Sequence, residues 1–275
     1  MPIVHPQTET VLTAMFKDAP HSLLFTGKEG VGLATVAYYY ANTIGSHVLT
    51  VLPEKEGKVD LEKGTITVES IRRLYTVVST VEPKGRVIII DYAERMAPAA
   101  QNAFLKLLEE PSPGTRFILL THQPELMLPT IISRSQRIDI KPITTDQSLT
   151  LLDTLKVTDA TKRAQLMFIA EGLPAELTRL SENDNQFTKR AAIVKDARLL
   201  VTGTVYDRLL LAKKYKDSRP DALTLVEDAL KQLRLTIAKN GDAMALRTLS
   251  RFEVLHKRLA EQGNVRLQLS ASAVL

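Results

Sequence analysis

The 275-residue chain has no cysteine and no tryptophan, and its five histidines are scattered without ligand-like spacing. Without thiols there are no disulfides and no thiolate-held metal, and without a pair such as HExxH no zinc site is expected. No window reaches 18 uninterrupted apolar residues, which excludes a membrane-spanning helix. The N-terminal MPIVHPQTETVLTAMFKDAP lacks the cationic stretch and apolar run of a secretory signal, so the expected location is the cytoplasm. Neither an internal repeat nor a low-complexity tract stands out. A concentrated basic arm is also missing: the net charge of +5 is compatible with a polyanionic partner but falls short of a dedicated nucleic-acid binder.

What is present is enough apolar residue, 44% of the chain, for two or three packed units. In the first half, SLLFTG, HVLTVLP, RVIIID and RFILLT read as strands, and their continuous apolar character suits a parallel sheet covered on both faces. Helical periods alternate with them: LATVAYYYANTIG, stopped by Gly45, then VESIRRLYTVVSTV and PAAQNAFLKLLEE, whose end is set by Pro111. This βαβ succession predicts an α/β domain with a parallel sheet over 1–143. Polar breaks at 141–147 and 181–186 bound three short helices, a lid over 144–184. Longer amphipathic helices then fill 185–275, with breaks near Gly203, Pro220 and Gly241.

Between the first strand and helix lies FTGKEGVGLATVA. Gly27 and Gly32 take the two glycine positions of the phosphate loop GxxxxGK[ST], with Gly30 between them. In a working loop the lysine neutralises phosphate charge and the hydroxyl ligates magnesium; here Leu33 and Ala34 stand in those places, and Lys28 inside the loop is no substitute. A plain strand-to-helix turn would account for the glycines alone. The strand RVIIID ends in Asp91, where a hydrolase holds magnesium, but Tyr92 replaces the neighbouring carboxylate that orients water, and Glu94 falls two residues on. Two parts of one apparatus are missing while their scaffold remains, which reads as a nucleotide-binding fold without its chemistry. ATP binding is expected to be weak or absent.

The stretch VIIIDYAERMAPAAQNAFLKLLEEPSPGTRFILLTHQPELMLPTIISRSQRIDI resembles the core of bacterial clamp-loader subunits of the AAA+ class. QNAFLKLLEEP is similar to that family's NALLKxLEEPP, and LPTIISRSQ to its LPTIxSRC; the likeness runs over about residues 5–140. The family often carries a four-cysteine zinc module after the loop helix, and this chain passes through EKEGKVDLEKG instead. Ser135 replaces the cysteine of SRC, and Glu176 lies where an ATP-sensing arginine belongs.

The resemblance implies a small set of roles. Arg134, flanked by Ser133 and Ser135, would be an arginine finger acting in trans on a neighbour's ATP, a task suited to a permanently charged fork of donors. The losses at Leu33, Ala34 and Tyr92 point to the noncatalytic delta-prime branch over the ATPase gamma/tau branch, and Thr121 takes a sensor-like position at its strand end. Implied partners are delta-like and gamma/tau-like subunits, and through them the sliding clamp and primer-template DNA, within a DNA polymerase III holoenzyme. The helices after residue 185 would form an oligomerising collar. Phe104, Leu105 and Leu108 are expected in the core, with Lys106, Glu109 and Glu110 solvated or at an interface. An active ATPase with an unconventional loop and an AAA+-derived scaffold outside replication are the rival readings.

Overall fold

The computed structural model describes residues 2–274 apart from 17, 45, 46, 81, 84, 241, 242 and 262. Among the described residues seven strands are formed: β1 Ser22–Thr26, β2 His47–Val51, β3 Glu54–Lys55, β4 Lys58–Val59, β5 Arg86–Ile90, β6 Thr115–Thr121 and β7 Gln136–Asp139. Five of them make one sheet in the order β2-β5-β6-β1-β7, every pairing parallel, and β3 and β4 form a separate antiparallel hairpin. The first unit also contains helices α1 Pro6–Met15, α2 Leu33–Thr43, α3 Val68–Val78, α4 Pro98–Glu109, α5 Pro129–Ser133, α6 Thr145–Thr154, α7 Ala160–Ala170 and α8 Pro174–Glu182.

Strand alternation divides the apolar residues between the two faces of the sheet. Leu24, Ile88, Ile90, Phe117 and Leu119 pack with Ile71 and Leu74 of α3 and Phe104 and Leu108 of α4. Leu23, Phe25, Val87, Ile89, Ile118 and Leu120 pack with Leu12 of α1 and Val36, Ala37 and Tyr40 of α2. Both faces are thus covered, which is why RVIII carries no polar alternation. Each fully buried side chain of this size contributes about 1.5–3 kcal/mol. Tyr40 stacks on Phe16 at 5.1 Å and Phe104 meets Phe117 edge-on at 5.2 Å, so these aromatics are packing elements.

Several local expectations are revised. The buried ridge of α4 is Phe104, Leu107 and Leu108, with Leu105 only partly covered, because the face toward the sheet rotates past position 105. The polar stretch 181–186 is mostly helical: only Asn183 interrupts, and its side chain accepts the Gln186 amide as an N-cap. Pro220 lies inside the first turn of a helix, where its missing N–H costs nothing, and the break falls before it. Gly45 and Gly241 lie outside the described residues.

The chain divides into two compact units, Met1–Ser181 and Glu182–Leu275. Among the described residues the second is all-helical: α9 Asp184–Thr202, α10 Val205–Lys214, α11 Arg219–Asn240, α12 Ala243–Ala260 and α13 Val265–Val274. It has its own core, in which Leu225, Val226, Ala229 and Leu259 are almost fully buried. Asp228 of α11, nearly inaccessible, is matched by a two-pronged contact from Arg190 of α9, one branch at 2.8 Å. No described helix is long and apolar enough to cross a membrane.

Candidate functional site

The glycine loop follows β1 and feeds α2. Gly27 has no room for a side chain: a Cβ there would lie 2.8 Å from the Ile140 carbonyl oxygen and 2.9 Å from Val31 Cγ1. Gly30 and Gly32 have φ of +84° and +88°, the left-handed region that glycine enters without penalty. Leu33, in the position of the phosphate-binding lysine, is a core residue at 4% exposure and packs with Val31, Val36 and Phe25; Ala34 and Leu173 pack against the same cluster. The cation's place is therefore taken by hydrocarbon directed into the protein.

Two further contacts hold the loop. The Ala175 amide, in the first turn of α8, donates to the Gly30 carbonyl at 3.0 Å. His122, just beyond β6, places Nδ1 2.8 Å from the Gly27 carbonyl; since a carbonyl only accepts, that nitrogen carries the proton. Glu176 is joined to Arg179 through a fork of 2.7 and 2.8 Å contacts, so the carboxylate at the supposed ATP-sensing position holds an arginine of its own helix. Thr121 is inaccessible and its hydroxyl accepts the Gln123 amide, capping the strand end.

Beside the loop is a cleft of about 460 Å³ lined by Glu29, Glu62, Tyr92, Glu94, Arg95 and His122 among others. Tyr92 has φ of +53°, unusual for a bulky residue, and its ring lies under the Arg95 guanidinium at 4.9 Å and edge-on to His122 at 5.9 Å. Asp91 accepts the Tyr92 amide at 3.0 Å. Burial raises the Asp91 pKa above the ordinary carboxylate range, nearby Glu94 adds to the rise, and the Tyr92 amide and His122 oppose it. The Tyr92 phenol is also raised, first by burial and then by Asp91 and Glu29. Three carboxylates on the cleft, with a fourth behind it, make this a poor place for a polyanion.

Arg134 lies elsewhere. It is the C-cap of α5, two residues before β7, and β7 runs parallel to β1 with Gln136 beside Leu23 and Asp139 beside Thr26. Arg134 therefore stands at the start of the strands and the glycine loop at their finish. With about 3.3 Å of rise per residue, the four residues from Leu23 to Gly27 separate the two levels by roughly 13 Å. The Arg134 side chain is 40% exposed; Nη2 contacts Glu109 Oε1 at 3.0 Å and Nη1 donates to the Thr130 carbonyl at 3.2 Å. Of its neighbours, Ser133 donates to the Thr130 carbonyl, and Ser135 is bonded to the Ser22 hydroxyl at 2.8 Å and the Ile131 carbonyl at 3.0 Å. Sequence reasoning names the loop, Asp91, Tyr92, Thr121 and Arg134. It leaves Glu109 as a solvated or interface residue with no tie to Arg134, and it misses His122 and Ala175; all three act through contacts remote in sequence, and of the two missed only His122 carries a signal, its place next to a strand end.

The family described as DNA polymerase III, delta subunit, matches residues 47–144. The delta' subunit of DNA polymerase III from Bacillus subtilis is 28% identical over 197 residues, 64% of this chain and 58% of that protein. The tau subunit from the same organism is 31% identical over 253 residues, 82% of this chain and 44% of that protein. The delta' subunit from Pseudomonas aeruginosa is 48% identical over 71 residues, 25% of this chain and 22% of that protein. The chain thus spans about half the length or less of these curated relatives. A DNA polymerase III gamma subunit-related protein from Thermotoga maritima shares the fold, with a TM-score of 0.54 at 19% identity, covering 98% of this chain and 97% of its own. The family match spans the acidic strand, α4 and the arginine turn, and by these likenesses the chain is similar to subunits of the AAA+ clamp-loader family.

Proposed function

We propose that this chain is a nonhydrolysing, delta-prime-type subunit of a clamp loader, which lends Arg134 to the ATP site of an adjacent subunit and helps place a sliding clamp on primer-template DNA. One observation carries the reading: the glycine loop and Arg134 lie at opposite ends of the β1–β7 pair, so the arginine is out of reach of its own loop and exposed for a neighbour's. An arginine acting on a γ-phosphate in trans needs this placement.

The loop itself supports a subunit without ATP chemistry. Leu33 is spent on the core, Ala34 offers no metal ligand, Tyr92 stands in place of the second carboxylate, and the cleft is lined with negative charge. The partners are gamma/tau-like and delta-like subunits, α6–α8 act as the lid, and the second unit is the collar that joins them in the cytoplasm as part of the polymerase holoenzyme.

The test is reconstitution with the partner subunits. Arg134→Ala should assemble normally and lower ATP turnover and clamp loading, because an arginine finger is worth on the order of a thousandfold at the site it completes. The fall in bulk ATPase is smaller, since the other sites keep their own fingers. Unchanged activity, or an unfolded variant, would defeat the finger assignment, and magnesium-dependent ATP turnover by the isolated chain would favour the gamma/tau-like reading instead.

A further inference from the structure

We infer that Glu109 is a positioning residue for the Arg134 finger, an inference that rests on the trans-acting reading above. The contact joins two elements: Glu109 is the last residue of α4, and Arg134 caps α5. A carboxylate in that place runs against local preference. The last turn of a helix carries partial negative charge and favours cations, yet α4 ends in Glu109 followed by Glu110, with Lys106 as the basic residue of the turn. Local rules broken in this way are expected where a non-local requirement prevails. The requirement visible here is the guanidinium 3.0 Å away.

The geometry leaves the finger usable. A guanidinium carries five N–H donors. Nη1 donates one hydrogen to the Thr130 carbonyl, and Nη2 stands in ion-pair contact with Glu109 without a hydrogen bond between them, so four of the five N–H donors remain for an anion. The side chain is held at its tip from two sides and can meet a phosphate without first releasing either anchor. Glu109 and Arg134 are both substantially exposed, and exposed ion pairs add little to stability. What the pair supplies is restriction of a long side chain that otherwise samples many rotamers. Because the finger acts on charge that develops during phosphoryl transfer, loss of that restriction falls on turnover and leaves substrate binding alone.

The experiment uses the complete complex reconstituted with its clamp-loader partners. The measured quantity is the Arg134-dependent part of the ATPase, wild type minus Arg134→Ala. Glu109→Ala should reduce that part by about three- to tenfold in kcat with KM for ATP unchanged. Glu109→Asp keeps the negative charge of the ion pair and should restore most of it. In the Arg134→Ala background Glu109→Ala should have no further effect, as coupling between contacting residues requires. A full Arg134-dependent rate in Glu109→Ala overturns the inference, as does an equal loss with and without Arg134. If Arg134→Ala itself changes nothing, the finger reading fails first, and the two failures are distinguished by that single variant.

Discussion

The Ala175 amide donates to the Gly30 carbonyl at 3.0 Å, stitching the middle of the glycine loop to the first turn of α8. Gly30 has φ of +84°, and a Cβ there would approach Glu176 Cβ to 3.2 Å. Gly30→Ala is therefore expected to destabilise the first unit by about 1–3 kcal/mol, combining left-handed strain with the crowded helix. Gly57 is the control: its φ is +77°, but a Cβ there would meet nothing within 4 Å. In urea denaturation Gly57→Ala should show the strain alone, so equal losses at the two positions would argue against the contact with α8.

Asp91 is expected to act as a burdened core-edge carboxylate. Its pKa is raised in the folded protein by burial. A carboxylate with a raised folded pKa costs stability once pH exceeds that value, and costs nothing below its unfolded pKa of about 3.9. Asp91→Asn keeps an oxygen to accept the Tyr92 amide, so it should raise the melting temperature at pH 7.5 and lose the advantage as pH falls toward 4. A loss of stability at pH 7.5 would show that the charged form is favoured by a group other than those seen around it.

The sheet was legible in the sequence because fully buried parallel strands read as unbroken apolar runs, as RVIII and RFILL do. The edge strand β7 was not, since QRID is polar and only Ile138 is buried. The candidate site divides in the same way. Leu33, Ala34 and Tyr92 announce themselves by departing from a fixed local spacing. Glu109–Arg134 and Gly30–Ala175 depend on the register in which distant elements meet, and no local pattern encodes that. The position of Arg134 at the opposite end of the sheet from Gly27 also follows only once β1 and β7 are paired in parallel.

Helix α10 presents apolar side chains to solvent, with Tyr206 at 70% and Leu210 at 48% exposure. Its other side, Leu211 and Ala212, already serves the core of the second unit. Tyr206→Glu and Leu210→Glu should leave the thermal stability of the isolated chain within about 0.5 kcal/mol, the usual range for surface changes. Analytical ultracentrifugation with the partner subunits should show weaker assembly if this surface belongs to the collar contact. Full assembly of the double variant would move that contact to another face.

Rebuilding the consensus loop separates a site that merely lacks two groups from one whose space has been reassigned. Leu33→Lys with Ala34→Thr restores the cation and hydroxyl on paper, and if nothing else had changed, magnesium-ATP should then bind. Leu33, however, is 4% exposed among Val31, Val36 and Phe25, so a lysine there must either bury its ammonium or pull the start of α2 out of the core. Removal of the leucine packing alone is worth about 2–5 kcal/mol. Even a lysine that reached the cleft would find Glu29 and Glu94 competing with phosphate, and Tyr92 where a catalytic carboxylate is needed. The double variant is therefore expected to melt well below the parent and to show no micromolar ATP binding by calorimetry. Micromolar, magnesium-dependent binding with an unchanged melting temperature would mean that Leu33 is not committed to the core, and that the proposed lack of nucleotide binding rests on those two side chains alone.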